Sequence, residues 1–286
     1  MDAMLDVTFY GVRGSTPCPC DANARYGGNT SCVVVDVPGG DPILLDLGTG
    51  LRFYGFNEHC AHDPFRGTAL VSHLHWDHIQ GLPFFAPINC PDARLDVYGP
   101  RNGRTLEACF EEFMAPPYFP IGFRDLAGEI EFHDVDAGSF AVGPATVTVA
   151  AVPHVGTTNG YRIDWNGVSI AYVSDHQEPV GEPARVEEAV LALADGVDVL
   201  IHDAQFTPDE FVQRPDWGHC TVGYAVEVAH QAGVGELVLF HHDPGHCDAT
   251  VDGLLEEAQA AAEGRNVGVV SAAAEGRTIS LVPAGS

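Results

Sequence analysis

The chain has 286 residues, enough for one large domain or two small ones, and 45% of them are hydrophobic, so an ordinary core can form. Against 40 acidic residues stand 13 basic ones, all arginine, for a net charge near -27, which disfavours a partner gripped through its phosphate backbone. No apolar run is long enough to span a bilayer and no basic-then-apolar leader opens the chain, so the expected setting is cytoplasmic, without a membrane partner.

Taken in order, the stretches "LDVTFYG", "CVVVDV", "ILLDLG", "TALVSH", "LDVYG", "ATVTVAAV", "VSIAYVSD", "DVLIHD", "ELVLFHH" and "TISLV" read as strands, several buried on both faces. Helical patterns fall at Thr105–Met114, Pro183–Ala194, Thr221–Ala232 and Val251–Glu263. Strands crowd the first half and alternate with helices in the second. The expected architecture is therefore a layered α/β domain, sheet on sheet with helices outside, and with no linker to divide it the whole span 1–286 is expected to be one domain. The eight cysteines include no C-x-x-C pair and are expected to be reduced, Cys18 and Cys20 among them.

The polar residues follow the strands. Asp46, His73, His154, Asp175, Asp203 and His241 each stand at or just after a strand's C-terminal end, where a rigid scaffold holds chemistry well. The densest stretch is "VSHLHWDHIQGLPFF", in which His73, His75, Asp77 and His78 fall within six positions. Alternation turns His73 and His75 to one side, and Asp77 and His78 fall in the turn entering the next helix. Such a knot can serve two metals about 3.5 Å apart, with Ile79, Leu82 and Phe84 as the dry wall behind it.

This cluster, followed by His154, Asp175 and His241 and preceded by Asp46 in "LLDLGTG", resembles the metallo-β-lactamase superfamily from "GVRGSTP" to "LVLFHHDP". The resemblance implies an αββα four-layer sandwich and a metal-dependent hydrolase holding two divalent ions. Zinc, manganese and iron all suit the mixed imidazole and carboxylate set. It places His73, His75 and His154 on one metal, Asp77, His78 and His241 on the other, Asp175 across both, and Asp46 behind them as support. The implied nucleophile is a hydroxide between the metals.

Within the superfamily, "LIHDAQF" and "GHCT" resemble the ribonuclease Z-like and cyclic nucleotide phosphodiesterase-like branch, in which an acidic residue and a histidine form a proton-delivery pair. Here Asp203 would orient His219, with Asp in place of Glu and Cys220 in place of Ser; capping of the helix near Thr221 is the plainer alternative for His219. Catalytic roles are thus expected at Asp77, His219 and Asp203. The Gly-rich "GVRGSTP" and "RYGGNTSC" stretches place Arg13, Arg25 and Asn29 as substrate-side candidates or as structural turns. Phe119, in the aromatic and proline-rich segment with Phe113, Tyr118 and Phe123, is a candidate to stack on a nucleobase or simply to pack on the sandwich edge.

His154 and Asp175 stand only 21 positions apart, which leaves no room for the tRNA-gripping arm of short ribonuclease Z enzymes. With the net charge, this argues for a small phosphodiester substrate such as a cyclic nucleotide, and against tRNA or DNA. The runner-up is a lactone, thioester or other carboxyl-ester hydrolase of the same fold. Homodimers are common among resembling proteins, though no feature of this chain demands one. In "HHDPGHCD", the residues His242, Asp243, His246 and Asp248 either stabilise the loop or play a supporting role around the second metal or the substrate. His133, His176, His202 and His230 are expected to be structural, and His59 and His62 to lie on a surface loop.

Overall fold

The computed structural model describes residues 3–57 and 64–283, so His59 and His62 lie outside the described residues. Among these residues two seven-stranded sheets form. One contains β1 (Leu5–Gly11), β2 (Cys32–Asp36), β3 (Ile43–Leu45), β4 (Arg66–Leu70), β5 (Arg94–Gly99) and β6 (Glu129–Asp134), with β14 (Thr278–Leu281) beside β1. The other runs β13-β12-β11-β10-β9-β8-β7, from β7 (Gly138–Val142), β8 (Ala145–Ala151), β9 (Asn159–Trp165), β10 (Val168–Val173), β11 (Val199–Asp203), β12 (Glu236–Phe240) and β13 (Val269–Ala272).

Apolar alternation explains the layering. Leu5, Val7, Phe9, Val33 and Val35 from the first sheet meet Ile170, Tyr172, Ile201 and Phe240 from the second in a central core. The outer face of the second sheet is covered by α4 (Glu188–Ala194), α6 (Val222–Ala232) and α7 (Asp248–Ala262). The first sheet is covered by α1 (Leu51–Asn57), the one-turn α2 (Trp76–Ile79) and α3 (Leu106–Phe113). A short α5 (Pro208–Gln213) follows β11. This is the expected four-layer αββα sandwich. Strands β10 and β11 are buried at every position, as strands covered on both faces must be. No helix among the described residues is long and apolar enough to cross a membrane.

The departures from expectation have local causes. Helix α4 starts at Glu188 rather than Pro183, because the carbonyls of Ala184 and Arg185 accept from Gln231 and Tyr224 of α6 instead of from a helical turn. Strands β6 and β7 carry half-exposed or polar residues such as Glu129, Glu131 and Ser139, and their apolar signal is diluted because they sit at sheet edges. Cys18, Cys20, Cys32, Cys109, Cys220 and Cys247 are free, but Cys90 is disulfide-bonded, contrary to a fully reduced set.

The topology puts the expected strand ends on one edge. Strands β10, β11 and β12 are parallel neighbours, and β8 runs with them because it is antiparallel to β9, itself antiparallel to β10. In the facing sheet β3 and β4 are parallel, and their following loops are zipped together by Leu47 N to His78 O and Gly81 N to Leu47 O, 2.7 and 2.8 Å. That closeness requires glycine at 81, where an added Cβ would sit 1.9 Å from the Gly48 carbonyl oxygen. Gly81→Ala is therefore expected to cost about 1–3 kcal/mol through backbone displacement, read as a lowered denaturant midpoint; an unmoved midpoint would show that the loops part without cost.

Candidate metal centre

Seven side chains from these loops converge. The donor atoms of His73, His75, His154 and Asp175 lie within 4.8 Å of one another, as do those of Asp77, His78 and His241. Asp175 faces each group with a different oxygen. Its Oδ2 is 3.8 Å from His73 Nε2 and 3.7 Å from His154 Nε2. Its Oδ1 is 3.2 Å from His78 Nε2 and 3.5 Å from His241 Nε2, and Asp77 Oδ2 lies 3.2 Å from both of those nitrogens.

Three buried atoms at the centre, His73 Nε2, His78 Nε2 and Asp175 Oδ1, have no hydrogen-bond partner. Buried polar atoms without partners are costly, and here they point at one another's groups, so the donor set fits divalent cations. Burial would raise the Asp175 carboxyl, but the charges of His241, His78, His73 and His154 hold it well below the usual carboxylate range. Asp77 is likewise held far down, against burial, chiefly by His78. Burial, reinforced by the charge of His78, pushes His73 well below its ordinary value.

Behind the donors lies a layer of hydrogen bonds that fixes each ring. Asp46, fully buried, accepts from His78 Nδ1 at 2.7 Å, from the Ser72 amide and hydroxyl at 2.7 and 2.8 Å, and from the Tyr172 hydroxyl at 2.7 Å. Because the Ser72 hydroxyl proton goes to Asp46, its oxygen is left to accept from His73 Nδ1 at 3.0 Å. His154 Nδ1 donates to the Gly218 carbonyl at 2.6 Å, and His241 Nδ1 to Gln205 Oε1 at 2.9 Å. Each ring thus turns Nε2 toward the centre. Asp46 and His241 themselves have φ of 60° and 59°, sparsely populated for non-glycine residues.

Beside this cluster His219 Nδ1 lies 2.9 Å from Asp203 Oδ2 and 3.7 Å from Asp175 Oδ2. The shorter aspartate reaches because the His176 and Gln205 amides, both at 3.0 Å, hold its carboxylate in place. Burial disfavours the charged ring, but Asp203 outweighs it and His219 is raised above its ordinary value.

Other expected residues are placed elsewhere. Arg13 does not face the site: it is wholly buried and donates to the carbonyls of Gly27, Asp243 and His246. The loop around it still contributes, since the Ser15 amide donates to Asp77 Oδ2 at 2.7 Å. Arg25 is paired with Asp252, and Asn29 spends its amide on Glu275 at 2.9 Å. Phe119 packs edge-on against Phe84 and lines an open cavity of about 1190 Å³ with Leu74, Trp76, Phe113 and Tyr118; no metal-cluster residue lines that cavity. His242, His246 and Asp248 are bound to Ala273, Glu210 and the Arg25 and Tyr26 amides, so they brace the loop. His133, His176, His202 and His230 are similarly tied to Asp96, to each other, and to the Asn266 amide. Ser72, Tyr172, Gly218 and Gln205 were not singled out in the sequence. Gln205 carried the clearest signal, two positions after Asp203 in the same motif.

Residues 43–242 match the family model of the beta-lactamase superfamily domain. The chain belongs to that superfamily. It is a metal-dependent hydrolase with likeness to the ribonuclease Z branch. A ribonuclease Z of Synechococcus sp. (strain WH7803) is 27% identical over 90% of this chain and 91% of its own length. The metallo-beta-lactamase fold protein YhfI from Bacillus subtilis superposes with a TM-score of 0.74 at 20% identity, covering 97% of this chain and 99% of that one. The short form of human tRNase Z gives 0.69 at 20% identity, covering 96% and 99%.

These relatives overturn the exclusion of tRNA. Net charge is a property of the whole surface and says little about one local patch, and a short interval between His154 and Asp175 bars an arm only at that point.

Two outcomes test the placement of these residues. Asp46→Ala should weaken metal retention about 10–100-fold, measured as metal per chain after desalting. Arg13→Ala should destabilise the fold by about 2–4 kcal/mol in a denaturant titration, while Arg25→Ala on the surface leaves the midpoint nearly unmoved; the reverse order would return Arg13 to the substrate side.

Proposed function

We propose that this hydrolase cleaves phosphodiesters. The observation that carries the reading is the His219–Asp203 pair set against Asp175: Nδ1 is committed to Asp203, which leaves Nε2 for the substrate. When a phosphodiester is cleaved, one ester oxygen departs as an alkoxide and needs a proton; the leaving group of a strained lactone or a thioester depends on one less.

In this reading His73, His75 and His154 would hold one divalent ion and Asp77, His78 and His241 the other, with Asp175 available to both. Bound there, the ions supply Lewis acidity toward the phosphoryl oxygens and lower the pKa of water. The chain's own residues do the rest. His219 Nε2 delivers the proton to the departing oxygen, and Asp203 keeps the ring in the matching tautomer and balances its charge. The Ser15 amide steadies Asp77, and Gly218, next to His219 in the chain, anchors His154 through its carbonyl.

Cyclic nucleotides are the small members of this substrate class and RNA termini the large ones. Metal-loaded protein should therefore turn over bis-p-nitrophenyl phosphate together with 3′,5′-cyclic AMP, a precursor tRNA or both. Turnover confined to a homoserine lactone or a glutathione thioester would sink the reading.

His219→Ala should lose about 10²–10⁴-fold in kcat on an alkoxide-leaving substrate and far less on a p-nitrophenyl ester, whose leaving group needs no proton. Two metals should remain bound. Equal losses on both substrates would remove His219 as the proton donor.

A further inference from the structure

His241 is the donor whose orientation depends on a side-chain amide, that of Gln205, to which no role was assigned from the sequence. Its Nδ1 lies 2.9 Å from Gln205 Oε1, and its Nε2 lies 3.2 Å from Asp77 Oδ2. The other end of the Gln205 amide, Nε2, is 3.3 Å from Asp243 Oδ2. Asp243 is in turn held by the Gly245 amide at 2.7 Å and Arg214 Nη1 at 3.3 Å.

The polarity of this chain has one solution. An ionised carboxylate only accepts, so the Gln205 amide must turn its NH₂ toward Asp243. Its carbonyl oxygen then faces His241, and that oxygen also only accepts, so the proton of the imidazole sits on Nδ1. The lone pair is left on Nε2, toward Asp77 and Asp175. The backbone of Gly14 packs against this same contact, so close that a Cβ there would lie 2.4 Å from His241 Cε1 and 2.9 Å from Gln205 Oε1. No side chain larger than glycine's fits at position 14 without disturbing the Gln205–His241 contact. Gln205 is 3% exposed, and its backbone N–H donates to Asp203 Oδ1, so it stands between the metal cluster and the proton-delivery pair.

We propose that Gln205 is a positioning residue that fixes the tautomer and angle of His241, and that Asp243 and Arg214 fix Gln205. The relay sets how tightly the Asp77/His78/His241 position holds its metal. This rests on the two-metal reading of the cluster, but it concerns a different observable.

The test compares Gln205→Leu, Gln205→Glu and the double variant Gln205→Glu/Asp243→Asn. Leucine keeps the volume and removes the acceptor. Glutamate keeps an acceptor but turns a carboxylate against Asp243, and asparagine at 243 restores a donor there with the polarity intact toward His241. Metal per chain after desalting, and zinc affinity by competition with a chelator, are read on each. Wild-type protein is expected to retain two metals. Gln205→Leu and Gln205→Glu should bind one of them about 10–100-fold more weakly, with loss of the His241 Nδ1–H resonance in Gln205→Leu, and the double variant should recover most of the affinity. Raised zinc should restore turnover to Gln205→Leu but not to Asp203→Asn, which acts on the proton and not on the metal. Wild-type affinity in Gln205→Leu, or a double variant no better than Gln205→Glu, would overturn the relay. A wild-type chain that retains no metal would overturn the reading of the cluster itself, and the relay with it.

Discussion

One carboxylate, Asp175, itself buried, presents an oxygen to each half of a ring of imidazoles, and the surrounding structure holds that arrangement in place. Left to itself, so much unpaired polarity would rearrange or admit water, because buried donors and acceptors without partners are expensive. Here they cannot rearrange. Four of the rings, those of His73, His78, His154 and His241, are tied at Nδ1 to a fixed oxygen, on Ser72, Asp46, Gly218 and Gln205 respectively. The donor atoms therefore converge as a consequence of the groups behind them.

The backbone bears part of the strain this requires. Asp46 and His241, on opposite sheets, both adopt left-handed φ immediately after a strand ends. Such conformations cost roughly 1–3 kcal/mol each and persist only where the surroundings over-determine them. Both are over-determined. Asp46 accepts four hydrogen bonds, and His241 is held by Gln205 at an edge that the Gly14 backbone also crowds. Strain is thus placed where the chain must leave the sheet sharply to turn a side chain into the cleft.

Much of the site was legible in the sequence because metal chemistry restricts residue type so severely. His73, His75, Asp77 and His78 within one short stretch, and Asp175 and His241 at strand ends, have few other uses together. The arginines were harder. Arg13 sits in a Gly-rich loop beside the site, yet burial commits its guanidinium to backbone carbonyls. Nothing local distinguishes that from an arginine reaching for phosphate. Asn29 is similar, since its partner Glu275 lies 246 positions away. Net charge misled for another reason: it averages over a surface on which one patch decides binding.

The sequence by itself determined the strand pattern, the metal-ligating residue types and their placement at strand ends, because alternation, turn chemistry and ligand type are local properties. Tertiary structure decided which oxygen of Asp175 serves which half, which nitrogen of each histidine faces inward, and that Arg13 braces while Gln205 orients. Those outcomes depend on hydrogen bonds between residues far apart in the chain, such as Asp46 with Tyr172 at 2.7 Å and His219 with Asp203 at 2.9 Å. Such pairings exist only once two sheets have packed and brought the ends of their strands to a common edge.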